Sequence, residues 1–453
     1  MAALAPCDLA VRGLLVLPDG LVTPGEIRVT GGRIDAVVAG SSSETAARVI
    51  DAGDAFVLAG AVDAHVHCLS NPGEGIEAAT RAAGAGGVTT IVEMPYDAGE
   101  PVDNVGTLEA KKIRVAEEAA VDVALLATVR PTGGADEVGA LVEHGACGFK
   151  LSLFDTDARR FPRIPDDQLL DVLAAISAAD SLACFHAEND EIIKPLIERS
   201  RAEGRTDPGA HSQSRPPVSE TEAVLKALEF SFATHCRSHL CHLSLARSVE
   251  LARWFALQGL DVTTEPCPHY LCFTEDDLLT EKGRLKINPP LRTARDRDGL
   301  WAAVGAGEVD LVASDHAPWD LADKTHPAIF DNHSGAPGVE TLVPLVLSEG
   351  LARGIPITTL SKALSEAPAR RFRLAGKGAL LSGFDADLVI FDPHAKGSVD
   401  EARLHSNAGW SPYHGRPLEG QLTAVISRGE LIWDGELSVR PGRGRLVALE
   451  GGR

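Results

Sequence analysis

Eight short apolar runs recur through the middle of this chain: Phe56–Val62, Val88–Met94, Val121–Val129, Gly148–Leu153, Leu182–His186, Ser238–Leu243, Asp261–Thr264 and Val309–Ala313. Between them lie stretches rich in Ala, Glu, Lys and Arg, such as Glu74–Ala85, Asp167–Ala178 and Glu220–Ala233. A near-continuous apolar strand must be covered on both faces, and parallel strands joined by helical crossovers achieve this. Eight strand–helix repeats predict a (β/α)8 TIM barrel over residues 59–380.

Both ends of the chain have a different texture. Asp8–Arg12, Gly13–Leu17, Gly25–Val29 and Arg33–Val38 read as short strands separated by Pro18-Asp19-Gly20, Pro24-Gly25 and Gly31-Gly32. Similar strands return at Asp387–Phe391, Leu422–Ser427 and Glu430–Trp433. Residues 1–58 together with 381–453 therefore predict one small β-sandwich domain built from both termini.

Composition narrows the partners. The formal net charge of −21 repels phosphate backbones, so no nucleic-acid partner is expected. No uncharged apolar run is long enough to cross a bilayer, so no membrane partner is expected either. Met1–Leu17 lacks a basic start followed by an apolar block, and the eight cysteines show no CxxC pair or even spacing. A reducing, cytoplasmic setting is the expectation.

In a barrel, catalytic groups sit where strands end and βα loops begin. Here the first run leads into His65-Val66-His67, whose i, i+2 spacing sends both imidazoles to one face of a strand. The fourth ends in Lys150, the fifth in His186, the sixth in His242 and the eighth in Asp315. Each has an ordinary explanation alone: a core histidine, a snorkelling lysine, a helix-capping aspartate. Together they require five coincidences of strand phase, and metal binding explains all five.

The lysine sharpens the inference. An ammonium has no lone pair and cannot bind a cation. A lysine deprotonated by burial beside metal charge can instead react with carbon dioxide. The resulting carbamate is anionic and has two oxygens able to bridge two metals. Four imidazoles, one carbamate and one carboxylate suffice for a binuclear site holding two divalent ions, zinc first, with cobalt, manganese or iron also able to use the set.

These residues also carry a resemblance. Asp63-Ala64-His65-Val66-His67, Gly148-Phe149-Lys150, His186-Ala187-Glu188-Asn189, Cys241-His242-Leu243-Ser244 and Ser314-Asp315-His316-Ala317-Pro318 resemble the cyclic amidohydrolases, the group of allantoinase, hydantoinase/dihydropyrimidinase and dihydroorotase. Ser214-Arg215-Pro216-Pro217, Glu265-Pro266-Cys267-Pro268-His269-Tyr270 and Asn288-Pro289-Pro290-Leu291-Arg292 extend it, and the likeness runs from about residue 5 to about residue 435. It implies a binuclear zinc-type hydrolase of a ring C–N bond in a small cyclic amide or ureide. By position, His65 and His67 would bind one metal, His186 and His242 the other, carboxylated Lys150 both, and Asp315 would be a ligand to the first and the general base. Main-chain substrate contacts would fall near Asn288 and Gly338, with Asp97, Asp155 and Trp319 as further substrate-binding candidates. The resemblance also implies a homotetramer.

Within the group, allantoinases are most similar, in Cys267-Pro268-His269-Tyr270 and Ser411-Pro412-Tyr413-His414-Gly415-Arg416. Dihydroorotases usually follow the second histidine with an arginine for the substrate carboxylate; Cys68-Leu69-Ser70 stands here. Hydantoinases carry a tyrosine shortly after the lysine, and Leu151–Thr156 has none. Alternatives are therefore a hydantoinase/dihydropyrimidinase, a cyclic imide hydrolase or, further off, a dihydroorotase. A non-catalytic scaffold relative would have lost its ligands, all of which are present. Mononuclear deaminases on this barrel usually do without the bridging lysine. His235, His239, His326 and His333 show no common strand phase and read as surface or supporting groups.

Overall fold

Strands from both ends of the chain pair in a single sheet. The computed structural model describes residues 6–40 and 45–450. In chain order the strands are β1 (Cys7–Val16), β2 (Val22–Thr30), β3 (Arg33–Ala39), β4 (Ala46–Ala59), β5 (Ala61–Val66), β6 (Val88–Glu93), β7 (Asp122–Leu125), β8 (Phe149–Ser152), β9 (Leu182–His186), β10 (Arg237–Leu240), β11 (Val262–Thr264), β12 (Leu388–Ser398), β13 (Pro417–Ser427) and β14 (Glu430–Trp433). The seven-stranded sheet runs β14-β13-β12-β4-β1-β2-β3. Its alternation divides two cores: Val57, Leu388 and Ile390 pack inside the terminal domain with Val11, Leu15 and Ile27. Their neighbours Leu58, Val389 and Phe391 pack against the barrel's helices.

The apolar run Phe56–Val62 is two strands and not one. β4 ends at Ala59 in the terminal sheet, and β5 starts at Ala61 in the barrel. The switch falls at Gly60, whose N–H donates to Asp387 O at 2.8 Å, whereas Ala61 N–H turns to Gly87 O. A Cβ at Gly60 would lie 2.2 Å from Oγ1 of Thr89, so only glycine lets the two strand systems approach this closely. Asp8–Arg12 and Gly13–Leu17, expected as separate strands, are joined in β1. Beyond β14 the chain returns to the barrel, where Val447 N–H donates to Val123 O and Val123 N–H to Arg445 O.

The barrel strands are parallel: β5-β6-β7 form one ladder and β8-β9-β10-β11 the other. A bridge between Ala127 and Phe149 joins them. The eighth apolar run is not a regular strand, yet it closes the ring. Leu311 N–H donates to Thr264 O, His316 N–H to His65 O, and His67 N–H to His316 O at 2.9 Å. Val62, Ala64, Val92, Met94, Leu126, Cys184, Leu311 and Ala313 fill the interior, a packed floor beneath the open end. Among the described residues no helix is long and apolar enough to cross a membrane.

Candidate metal centre

His65 and His67 reach one cleft through a break in strand regularity. The β5–β6 register shifts between Asp63 and Val66. At that point the Asp63 carboxylate accepts from His65 N–H at 3.2 Å and from Ser314 N–H at 3.0 Å. A bulge of this kind re-aims side chains beside a site. Val62 and Ala64 face the barrel interior, but Val66 packs with the helix layer, which leaves the two flanking imidazoles facing the open end.

His65, His67, Lys150, His186, His242 and Asp315 all line this cleft: His65 and His67 at the end of β5, Lys150 within β8, His186 at the end of β9, His242 just beyond β10 and Asp315 after the irregular eighth run. Nε2 of His65 lies 3.3 Å from Lys150 Nζ and 3.3 Å from Oδ1 of Asp315, which is 3.7 Å from Nε2 of His67. Nδ1 of His186 lies 3.0 Å from Nε2 of His242. His242 and Asp315 both have a left-handed backbone, at φ of 41° and 48°. Non-glycine residues hold such conformations at a cost of about 1–3 kcal/mol, and the surrounding fold must supply it.

Three of the four imidazoles are gripped from behind. Nδ1 of His65 meets Oε1 of Glu265 at 2.7 Å, Nε2 of His186 meets Oε2 of Glu188 at 2.9 Å, and Nδ1 of His67 meets Ser70 Oγ at 3.0 Å. A carboxylate acceptor requires the proton on the nitrogen it faces, leaving the opposite nitrogen with a free lone pair. Those opposite nitrogens are the ones that converge. Nδ1 of His242 is buried without a hydrogen-bond partner among the described residues.

Electrostatics agree with this division at three of the four rings. Burial pushes His186, His242 and His67 below the usual imidazole value, so they are neutral and able to ligate. His65 goes the other way: burial opposes its charged form, but Asp315 and Glu265 raise it to about 9. Burial raises Asp315, and it also opposes the Glu188 carboxylate, which Arg215 and His186 nevertheless hold down at about 2. Lys150 is held above its ordinary value; burial acts against its ammonium, while Cys241, Glu265 and Asp315 favour it. The acids around Lys150 thus favour a charged amine, and cation charge is what would reverse that preference.

The donor set fits divalent metal. Nδ1 of His186 and Nε2 of His242 face each other, and His65, His67 and Asp315 bring three ligand atoms within 4.8 Å of one another. Imidazole and carboxylate suit zinc and its first-row neighbours.

Together these residues enclose a small cleft at the open end of the barrel. Among the expected substrate contacts, Asn288 and Trp319 line it. With its amide turned to match its neighbours, Asn288 accepts from Ser334 Oγ and Arg215 and donates to Ile287 O. Gly338, Asp97 and Asp155 are engaged elsewhere. Gly338 N–H donates to Nδ1 of His316 at 3.1 Å. Lys111 draws Asp97 away at 2.6 Å, and Lys194 holds Asp155 at 2.9 Å.

Several groups of this site do not stand out in the sequence. Tyr96, Phe161 and Thr156 line the cleft, and Arg160 lies 4.7 Å over the Tyr96 ring. Burial pushes the Tyr96 phenol up to about 12. Glu265 ends the seventh apolar run, so the strand-end rule that selects the ligands applies to it as well. His239, read as a surface or supporting group, is buried and bridges Glu265 Oε2 at 2.9 Å and Thr263 Oγ1 at 2.8 Å. His235 and His326 are exposed.

The chain is similar to known proteins along nearly its whole length. The family model described as "Amidohydrolase family" matches residues 56–432. An allantoinase of Rubrobacter xylanophilus is 36% identical over 446 residues, covering 97% of each chain. An L-hydantoinase of Paenarthrobacter aurescens is 33% identical over 450 residues, covering 97% of this chain and 98% of its own. Among solved structures, the L-hydantoinase (dihydropyrimidinase) from Arthrobacter aurescens superposes with a TM-score of 0.94 at 32% identity, covering 98% of this chain and all of that one.

Proposed function

This chain belongs to the amidohydrolase family, and from that premise we propose that it hydrolyses a ring C–N bond of a cyclic amide, opening the hydantoin ring of allantoin to allantoate. The observation that carries the reading is the convergence of four imidazoles, Lys150 and Asp315 on one small-molecule cleft. His65 and His67 would hold one divalent cation, His186 and His242 a second, and Lys150, as its carbamate, both; zinc is the first candidate. When bound, the cations supply water activation and Lewis-acid polarisation of the carbonyl.

The chain's own residues supply the rest. Asp315 takes the proton of the attacking water and returns it to the departing ring nitrogen, so that one water is added across the broken C–N bond. Glu265, Glu188 and Ser70 hold three of the rings in orientation. Assembly as a homotetramer and a cytoplasmic location belong to the same reading.

One observation favours a second substrate. Tyr96, Phe161 and Trp319 wall the cleft, and Arg160 is drawn onto the Tyr96 ring and Asp157. Such a wall suits an uncharged aryl group on a hydantoin ring. Parallel assays of metal-loaded protein on allantoin, 5-substituted hydantoins, dihydrouracil, dihydroorotate and cyclic imides test both readings. Allantoin is expected to react fastest. A preference for aryl-hydantoins would install the second reading, and no ring opening with any of the five would sink both.

A further inference from the structure

Ser70 is buried where three loops meet at the rim of the cleft. Its Oγ lies 3.0 Å from Nδ1 of His67 and 2.9 Å from the carbonyl oxygen of Tyr96, while its own carbonyl accepts from Arg160 at 3.3 Å. The segments after β5, β6 and β8 are thereby joined at one residue.

Counting protons at this node leaves a single arrangement. A hydroxyl has one hydrogen, and a backbone carbonyl can only accept. The Ser70 hydrogen therefore points at Tyr96, and an oxygen lone pair faces His67. Nδ1 of His67 must then carry the ring proton, which leaves the lone pair on Nε2, the nitrogen turned towards Asp315. Glu265 and Glu188 impose the same division on His65 and His186, but as carboxylates they also strengthen the ligating nitrogen. Ser70 is neutral, so its contribution is tautomer and aim.

We infer that Ser70 is a positioning residue that holds His67 as the Nδ1–H tautomer aimed at the metal centre, and couples that imidazole to the loop whose Tyr96 ring walls the cleft. The inference rests on the metal-dependent reading above and goes beyond it, since it makes the two halves of the centre unequal. The half containing His67 depends on Ser70, and the half built by His186 and His242 does not.

Zinc titration of the full-length protein against a competing chelator tests this, with wild type, Ser70→Ala and Ser70→Thr compared and their melting temperatures recorded. In Ser70→Ala one zinc equivalent is expected to bind about 10–100-fold more weakly and the other unchanged. Ser70→Thr, which keeps the hydroxyl, is expected to restore both. Equal weakening of both equivalents, no weakening of either, or a Ser70→Ala chain that does not fold would each overturn the inference. Wild-type protein that takes up no zinc would overturn the metal-dependent reading itself, and the inference with it.

Discussion

Oε1 of Glu265 lies 2.7 Å from Nδ1 of His65 at the floor of the centre, and its second oxygen meets His239. The carboxylate is fully buried, and burial disfavours its charge; His239 and His65 nonetheless hold it well below the usual carboxylate value. A buried anion that ties a ligand ring to a second histidine fixes that ring and raises its basicity.

Glu265→Gln keeps the shape but removes the charge, and it turns an amide N–H towards one of two rings that need an acceptor. Metal affinity is expected to fall about 10–100-fold with the fold intact. Chelator competition and circular dichroism check it; unchanged affinity would remove the role given to Glu265.

Asp315 occupies a left-handed backbone that asparagine tolerates at least as well as aspartate. Asp315→Asn is therefore expected to fold and retain metal while kcat falls by about 10²–10⁴ or more. Metal analysis beside steady-state kinetics reads both, and near-normal turnover would exclude Asp315 as the proton carrier.

Lys150 is buried and faces Nε2 of His65. Lys150→Ala is expected to lose most metal, and wild-type enzyme loaded under ¹³C-labelled carbon dioxide is expected to show a carbamate carbon resonance. A metal-replete enzyme without that resonance would rule out the bridging carbamate.

Lys377 joins barrel to sheet: its Nζ lies 2.6 Å from Asp122 of β7 and 2.7 Å from Asp387 beside β12. Lys377→Met leaves the buried Asp387 without its cation and Asp122 with Arg428 alone, and is expected to cost about 3–5 kcal/mol near neutrality. Burial opposes both charges, yet Lys377 and Arg428 depress Asp122, while Asp387 and Asp122 raise Lys377. A depressed carboxylate stabilises above its unfolded pKa and loses that as pH falls through the folded value; a raised lysine stabilises below its unfolded pKa and loses that as pH rises through the folded one. The difference between wild type and variant should therefore span about pH 4 to pH 10 and narrow outside it. Denaturant unfolding across that range checks the window, and a pH-independent difference would contradict the ion-pair account.

The reach of the sequence follows the reach of its rules. Strand phase and the barrel's C-terminal rim are local regularities, so His65, His67, Lys150, His186, His242 and Asp315 stand out as one set from the linear chain. Glu265 obeys the same rule at the seventh run, but an acid after a strand carries no signal of its own until His65 is seen against it.

The apolar and turn pattern by itself determined the barrel, the sheet built from both ends and the residues that line the cleft floor, because periodicity and strand ends are written in neighbouring positions. Tertiary structure alone decided the rest. It split Phe56–Val62 at Gly60 because Thr89 leaves no room for a side chain there, and it re-aimed the strand at Asp63 because that carboxylate meets Ser314. It turned Asp97 to Lys111 and set Ser70 behind His67. A polar side chain takes the partner that folding brings within about 3 Å. For most of these groups that partner lies on another strand or loop, beyond any local pattern.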